Sequence, residues 1–235
     1  MNKKVIIACD FSCKKKIFEF LDIFKNEQIF IKIGMELFYS QGPEIVENIK
    51  ALGYNIFLDL KLHDIPNTVS RTVNELIKLK VDLISLHSLG GANMMKAAVD
   101  IAAGSPTKLI AITLLTSISE EVLKNELLIN KDLTQLVGFY ARNSFKYGIH
   151  GVVCSAYEVP TIKSLCGNDF LCITPGIKPE GWQYNDQKRV ASPAIAGELG
   201  SDFIVVGRAI TCASDPLVAY TQIKNDFLKQ EVTSL

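Results

Sequence analysis

The segment DLKLHDIPNTV, residues 59–69, places Asp59, Lys61 and Asp64 within six residues, where an apolar strand hands over to a helix. An isolated charge removed from water loses on the order of several kcal/mol of hydration, so such a group must be compensated or put to use. An ammonium set among carboxylates can hand over a proton and can hold negative charge that develops beside it. Asp59 and Lys61 are two residues apart, so on a regularly pleated strand both side chains leave on one face. Lys32, late in the preceding strand, would bring a second ammonium toward Asp59, and Asp64 could return a second carboxylate toward Lys61. Two lysines and two aspartates sum to zero, the least costly way to place four charges in a partly dry mouth. Plainer readings stand beside this one. Asp64 precedes Ile65 and Pro66 and could be a helix N-cap, and Asp59 with Lys61 could be an ordinary rim ion pair. His63 reads as a loop histidine, His87 as a satisfied strand-end histidine, and His150 simply precedes a strand.

Eight short apolar runs could position these residues: VIIAC from Val5, IFIKIG from Ile29, IFLDL from Ile56, DLISLH from Asp82, KLIAIT from Lys108, GVVCS from Gly151, FLCIT from Phe170 and FIVVG from Phe203. Runs apolar on both faces suit parallel strands covered on both sides. Between them lie segments with helical spacing, such as Ile17, Phe20, Leu21, Phe24 and Val69, Val73, Leu76, Ile77, with two helical stretches near 119–128 and 131–147 in the longest gap. Eight strand–helix units averaging about 28 residues, without a linker, predict an α/β fold: a single (β/α)8 TIM barrel over residues 1–235. A doubly wound open sheet is the alternative, but the first strand–helix turn, CDFSCKK, lacks the G-x-G-x-x-G of a dinucleotide site.

In such barrels chemistry collects where strands end. Asp10, Lys32, Asp59 with Lys61, His87 with Ser88, Thr113 with Thr116, Ser155, Thr174, and Gly207 with Arg208 all fall at or near strand ends. VVGRAIT would offer backbone N–H groups and a guanidinium to a phosphate, and the Pro- and Gly-rich TPGIKPEGWQYNDQ, residues 174–187, has the length of a lid or binding loop. Arg208 could equally cap a carbonyl, and the loop could be a plain excursion.

The chain has 235 residues, 48% of them hydrophobic, and 25 basic residues balance 25 acidic ones, so no global field gathers nucleic acid or an acidic membrane. No apolar stretch approaches the roughly 18 residues of a membrane span, and Asp10 interrupts the first apolar run well short of a secretory segment. The six cysteines form no C-x-x-C pair, and Cys9, Cys154 and Cys172 fall in apolar runs, which predicts core packing in a reducing cytoplasm.

ACDF, IKIGMELFYSQGP, FLDLKLHDIPNTV, LHSLGG, AITLLTS, GVVCSA, TPGI and IVVGRAIT occur in the order and spacing of a known family. The chain resembles the bacterial-type orotidine 5'-phosphate decarboxylases along essentially its whole length. The resemblance implies cofactor-free conversion of orotidine 5'-monophosphate to uridine 5'-monophosphate, with no metal. It implies that Lys61 protonates C6 within an alternating array of Lys32, Asp59, Lys61 and Asp64. It implies that Asp10, with Lys32 and Asp59, holds the ribose, that Thr116 lies by the pyrimidine edge, and that Gln187, Gly207 and Arg208 hold the phosphate. Asp64, Ile65 and Thr68 would reach the site of a neighbouring subunit, which implies a homodimer. Many relatives carry arginine after TPGI; Lys178 here keeps the charge without the planar fork, and weaker or water-mediated phosphate contact is expected.

Two other readings share these residues. A metal-dependent sugar-phosphate decarboxylase or aldolase of the same barrel group needs a carboxylate where this chain has Lys32, which would repel a divalent cation. A non-catalytic phosphosugar-binding barrel would use Arg208 and the loop but leave Asp59 and Lys61 without a purpose.

Overall fold

A computed structural model describes residues 3–179 and 189–228. Eight parallel strands close into a barrel in chain order: β1 (Lys4–Ala8), β2 (Phe30–Gly34), β3 (Asn55–Leu62), β4 (Leu83–His87), β5 (Lys108–Ile112), β6 (Gly151–Val153), β7 (Leu171–Thr174) and β8 (Phe203–Val206), with β8 pairing back onto β1. The predicted (β/α)8 architecture is the one found. The open-sheet alternative is excluded by the β1–β8 pairing, in which Lys4 to Ile7 lie opposite Phe203 to Val206.

Alternation along the strands divides the apolar residues into two cores. Ile6, Phe30, Phe57, Leu83, Ile110, Leu171 and Phe203 fill the lower barrel, where the Phe30 and Phe203 rings meet edge to face at 5.7 Å. Their sequence neighbours, among them Ile7, Ile31, Ile56, Ile84, Leu109, Cys172 and Ile204, pack outward beneath the helices. Helix Pro66–Lys78 shows how such a cover forms. Pro66 occupies the first turn, where its missing N–H has no helical partner to lose, and Val69, Val73 and Leu76 place one apolar stripe against the sheet. The two helical stretches expected between β5 and β6 form as Glu120–Asn125 and Leu133–Lys146, each started by a side-chain cap, Ser119 and Asp132.

One interruption of the sheet bears on the site. Leu58 pairs with Ile84, but the next pairing between β3 and β4 joins Leu62 to Leu86. Three residues of β3, Asp59, Leu60 and Lys61, therefore oppose Ser85 alone, and Lys61 takes a left-handed conformation with φ 52°. A bulge of this kind bends a strand and re-aims its side chains. The regular pleat expected for Asp59 and Lys61 is thus absent, although both still reach the mouth.

Below, two fasteners join strand starts. Asp82 accepts from the Ile56 N–H at 2.8 Å and from Lys50 Nζ at 2.6 Å. Asp202 accepts from the Cys172 N–H and from Lys163 Nζ, each at 2.7 Å. All six cysteines are free thiols, and Cys9, Cys154, Cys166 and Cys172 are buried; among the described residues no helix is long and apolar enough to cross a membrane.

Candidate active site

The inward-facing row that is apolar at the bottom of the barrel becomes charged toward the top: Phe30 is followed by Lys32 on β2, and Phe57 by Asp59 on β3. Asp59 is buried, and its two oxygens are committed differently. Oδ2 accepts from Lys61 Nζ at 2.9 Å and lies 3.8 Å from Lys32 Nζ. Oδ1 accepts from the Ser85 hydroxyl at 2.9 Å. Lys32 Nζ donates in turn to Asp10 Oδ1 at 2.8 Å. The result is a chain of alternating sign, Asp10, Lys32, Asp59, Lys61. Two ammoniums offset two carboxylates, and a charge pair about 4 Å apart is worth roughly 4 kcal/mol at an effective dielectric near 20.

The close approach of Asp10 and Lys32 depends on Gly34. A Cβ there would stand 2.8 Å from Asp10 Oδ1 and 3.1 Å from Lys32 Nζ.

Asp64 stands apart. Its Oδ1 accepts from the adjacent Ile65 N–H at 2.7 Å, and among the described residues no ion pair joins it to either lysine. Nor is it the N-cap of the following helix, a place taken by Ile65 without side-chain capping. Asp64 and Ile65, on the β3 loop, and Thr68, in the first turn of the following helix, are all exposed, with Ile65 66% exposed.

A cavity of about 440 Å³ opens over this array. Of the residues singled out from sequence, Asp10, Lys32, Asp59, Lys61, Thr116, Lys178, Gly207 and Arg208 line it. Gln187 lies outside the described residues. Arg208 opens a short helix, Arg208–Thr211, directly after Gly207. Lys178 sits at the neck of its loop, where Ile177 pairs with Ala191 and the Lys178 N–H donates to the Ala191 carbonyl at 3.0 Å.

Other strand-end polar residues fasten the scaffold. The Thr113 hydroxyl donates to the Val153 carbonyl at 2.9 Å, Ser88 donates to the Thr113 carbonyl at 3.3 Å, and Thr174 and Ser201 share a hydrogen bond of 2.8 Å. Parity explains Thr113 and Thr174, since each follows the cavity- or barrel-facing residue of its strand, Ile112 or Ile173. Ser155 starts a capping box with Glu158, whose carboxyl burial pushes upward against the pull of Arg189 and the Ser155 N–H. The His87 and His63 rings stack at 5.3 Å, and His87 Nδ1 accepts from the Leu89 N–H at 3.2 Å. Burial first, then His63 and Lys61, lowers the His87 pKa to about 4. Cys9, beside Asp10, is fully buried, which drives its thiol pKa far upward and leaves it a neutral core group.

Three groups of site residues escaped the sequence reading. Phe57, Ile112, Leu114, Val153 and Val205 give the cavity an apolar wall, yet by type they match the core. Arg189 donates to Glu158 and, at 3.1 Å, to the Leu115 carbonyl, tying together the loops after β5, β6 and β7. Ser85 looked like one small residue in an apolar run.

Comparison with known proteins places this geometry. Residues 3–223 match the profile of the family described as Orotidine 5'-phosphate decarboxylase / HUMPS family. The chain belongs to this family. It is 47% identical over 233 residues to the orotidine 5'-phosphate decarboxylase of Bacillus cytotoxicus, covering 97% of this chain and 98% of the relative, and 46% identical with the same coverage to that of Bacillus mycoides. Among solved structures, the orotidine 5'-phosphate decarboxylase of Lactobacillus acidophilus superposes with a TM-score of 0.85 at 40% identity, covering 96% of this chain and 99% of that one. An uncharacterized conserved protein of Geobacillus kaustophilus superposes equally well, at 40% identity over 95% and 99% of the two chains. Both the charged β3 segment and the Gly207–Arg208 turn lie within the region that matches the orotidine 5'-phosphate decarboxylase / HUMPS profile.

Proposed function

We propose that this protein decarboxylates orotidine 5'-monophosphate to uridine 5'-monophosphate and CO2 in pyrimidine nucleotide synthesis, without a metal or organic cofactor. The observation that carries the reading is the Lys61 ammonium, held 2.9 Å from buried Asp59 in a cavity that Gly207 and Arg208, at the end of β8, also line. Breaking the bond between C6 and the carboxylate leaves its electron pair on an sp2 carbon of the ring, with no ring position to delocalise it. A fixed cation beside C6 stabilises that charge, and the same ammonium supplies the proton that forms the new C6–H bond. Asp59 and Asp10 hold the two ammoniums in place before substrate arrives, so little reorganisation remains for the chemical step.

In this reading Asp10, Lys32 and Asp59 hold the ribose, and Thr116 meets the pyrimidine edge. Gln187, Gly207 and Arg208 hold the phosphate, with Lys178 adding charge from the loop neck. The phosphate lies far from the reacting carbon, so its binding energy serves positioning and water exclusion. Asp64, Ile65 and Thr68 act in the site of a second subunit of a homodimer. Their exposure where β3 hands over to the following helix, and the separation of Asp64 from both lysines of its own chain, support that role. Free, largely buried thiols fit a reducing cytoplasm.

The donor set argues against the metal-dependent reading. Both carboxylates nearest the cavity floor already face ammoniums, and a divalent cation placed among them would meet Lys32 and Lys61.

Purified protein treated with chelator should consume the orotate absorbance of orotidine 5'-monophosphate and yield uridine 5'-monophosphate. A requirement for added metal would overturn the cofactor-free mechanism, and binding of the nucleotide without loss of the chromophore would make the protein a non-catalytic barrel.

A further inference from the structure

We infer that Ser85 is a positioning residue of the decarboxylation site, its one hydroxyl fixing both the plane of the Asp59 carboxylate and the backbone from which Lys61 projects. The inference rests on the decarboxylase reading for its effect on turnover, but the geometry behind it is separate. The β3 bulge sets three residues against Ser85, and the Lys61 N–H, turned out of the ladder by a φ of 52°, donates to Ser85 Oγ at 2.8 Å. The hydroxyl has a single proton to give. Its oxygen already accepts from Lys61, and Asp59 Oδ1, an ion-paired carboxylate oxygen, lies 2.9 Å away as an acceptor, so that proton points at Asp59. Ser85 is fully buried, with its serine oxygen at the centre of the bulge.

Anchoring Oδ1 toward β4 leaves Oδ2 turned to the two ammoniums. The terminal torsion of an aspartate is broad and roughly two-fold, so without the anchor the carboxylate turns more freely. The Lys61 N–H would lose its acceptor at the same time, and a left-handed lysine without that bond has less to hold it there. Both losses move the Lys61 ammonium relative to the cavity. They do not touch Gly207 or Arg208, where the phosphate is held. Loss of Ser85 should therefore lower kcat far more than it raises KM, since Asp59 also meets the ribose while the phosphate contacts are untouched.

The test compares wild type, Ser85→Ala and Ser85→Thr, which keeps the hydroxyl, by steady-state loss of orotate absorbance and by NMR exchange of the Lys61 backbone amide. Ser85→Ala should lose about 10- to 100-fold in kcat, in line with the cost of misplacing a catalytic group by about 1 Å, with KM within about threefold of wild type and Lys61 amide exchange at least about tenfold faster. Ser85→Thr should restore turnover and amide protection together. Wild-type kcat in Ser85→Ala, or lost turnover with an undisturbed Lys61 amide, would overturn the inference. A wild-type protein that leaves orotidine 5'-monophosphate intact would instead remove the decarboxylase reading, while the amide exchange would still decide whether Ser85 holds Lys61.

Discussion

Lys32 and Asp10 meet at 2.8 Å across the ends of β2 and β1, over a glycine that leaves no room for a methyl group. Gly34→Ala should push the two apart, since the added Cβ would lie 2.8 Å from Asp10 Oδ1. We expect a fall of at least about tenfold in kcat/KM with a nearly unchanged melting temperature, because the clash falls on side chains at the mouth and not on the core. Steady-state kinetics alongside a thermal melt check both halves. A fully active alanine variant would mean that the Asp10–Lys32 contact is dispensable.

Lys61→Ala should fold and bind nucleotide, yet lose turnover by a factor of at least about 10^4, since one group supplies both a proton and a fixed positive charge. Lys61→Arg keeps the charge, but a guanidinium is too weak an acid to release its proton readily, so this variant should recover little. Product formation over long incubation, read by chromatography, provides the sensitivity required.

A second subunit makes a sharper test of Asp64. Lys61→Ala and Asp64→Ala proteins, each nearly inactive, should regain activity when mixed and allowed to exchange subunits. A hybrid dimer then contains one intact site, and random exchange of a 1:1 mixture gives about one quarter of wild-type activity. No recovery after demonstrated exchange would place Asp64 outside its neighbour's site.

His87 makes stability depend on pH. Its pKa falls from 6.5 to about 4 in the fold, so between those values the unfolded chain binds more protons than the native one. Stability should therefore drop as pH is lowered from about 6.5 toward 4. In His87→Asn the amide oxygen can still accept from the Leu89 N–H, and melting temperatures across that range should fall less steeply. Burial also lowers the pKa of His150, which should supply part of the remaining slope. An identical slope in the variant would remove His87 from the account.

The fasteners at the barrel base should carry stability without chemistry. Asp202→Asn weakens the contact to Lys163 and the hydrogen bond to the Cys172 N–H in a largely buried place. A loss of about 2–3 kcal/mol, or about 5–10 °C in Tm, is expected with kcat and KM unchanged. Urea titration and steady-state kinetics together decide it.

Much of this arrangement was legible in the sequence because a barrel strand buried on both faces leaves a run of β-branched and apolar residues, and eight such runs became eight strands. Asp10, Lys32, Asp59, Lys61 and Arg208 stood out as charges at the ends of those runs, and all five line the cavity. The bulge could not be read, because D-L-K-L alternates like a regular strand, and slippage against β4 is a relation between two strands. Spacing alone allowed Asp64 to return toward Lys61 or to cap a helix, and could not show that within its own chain it accepts from the Ile65 N–H. Ser85 and Arg189 were missed for a related reason: what matters is which backbone group each meets, 24 residues away for Ser85 and 74 for Arg189.

Stepping four strands around the barrel carries the Lys50–Asp82–Ile56 clamp onto the Lys163–Asp202–Cys172 clamp. The cylinder is thus cinched twice, on opposite sides, by the same three-part knot, while its upper edge has no such symmetry. Evolution could rework that edge, lysine by lysine, without loosening either knot below it.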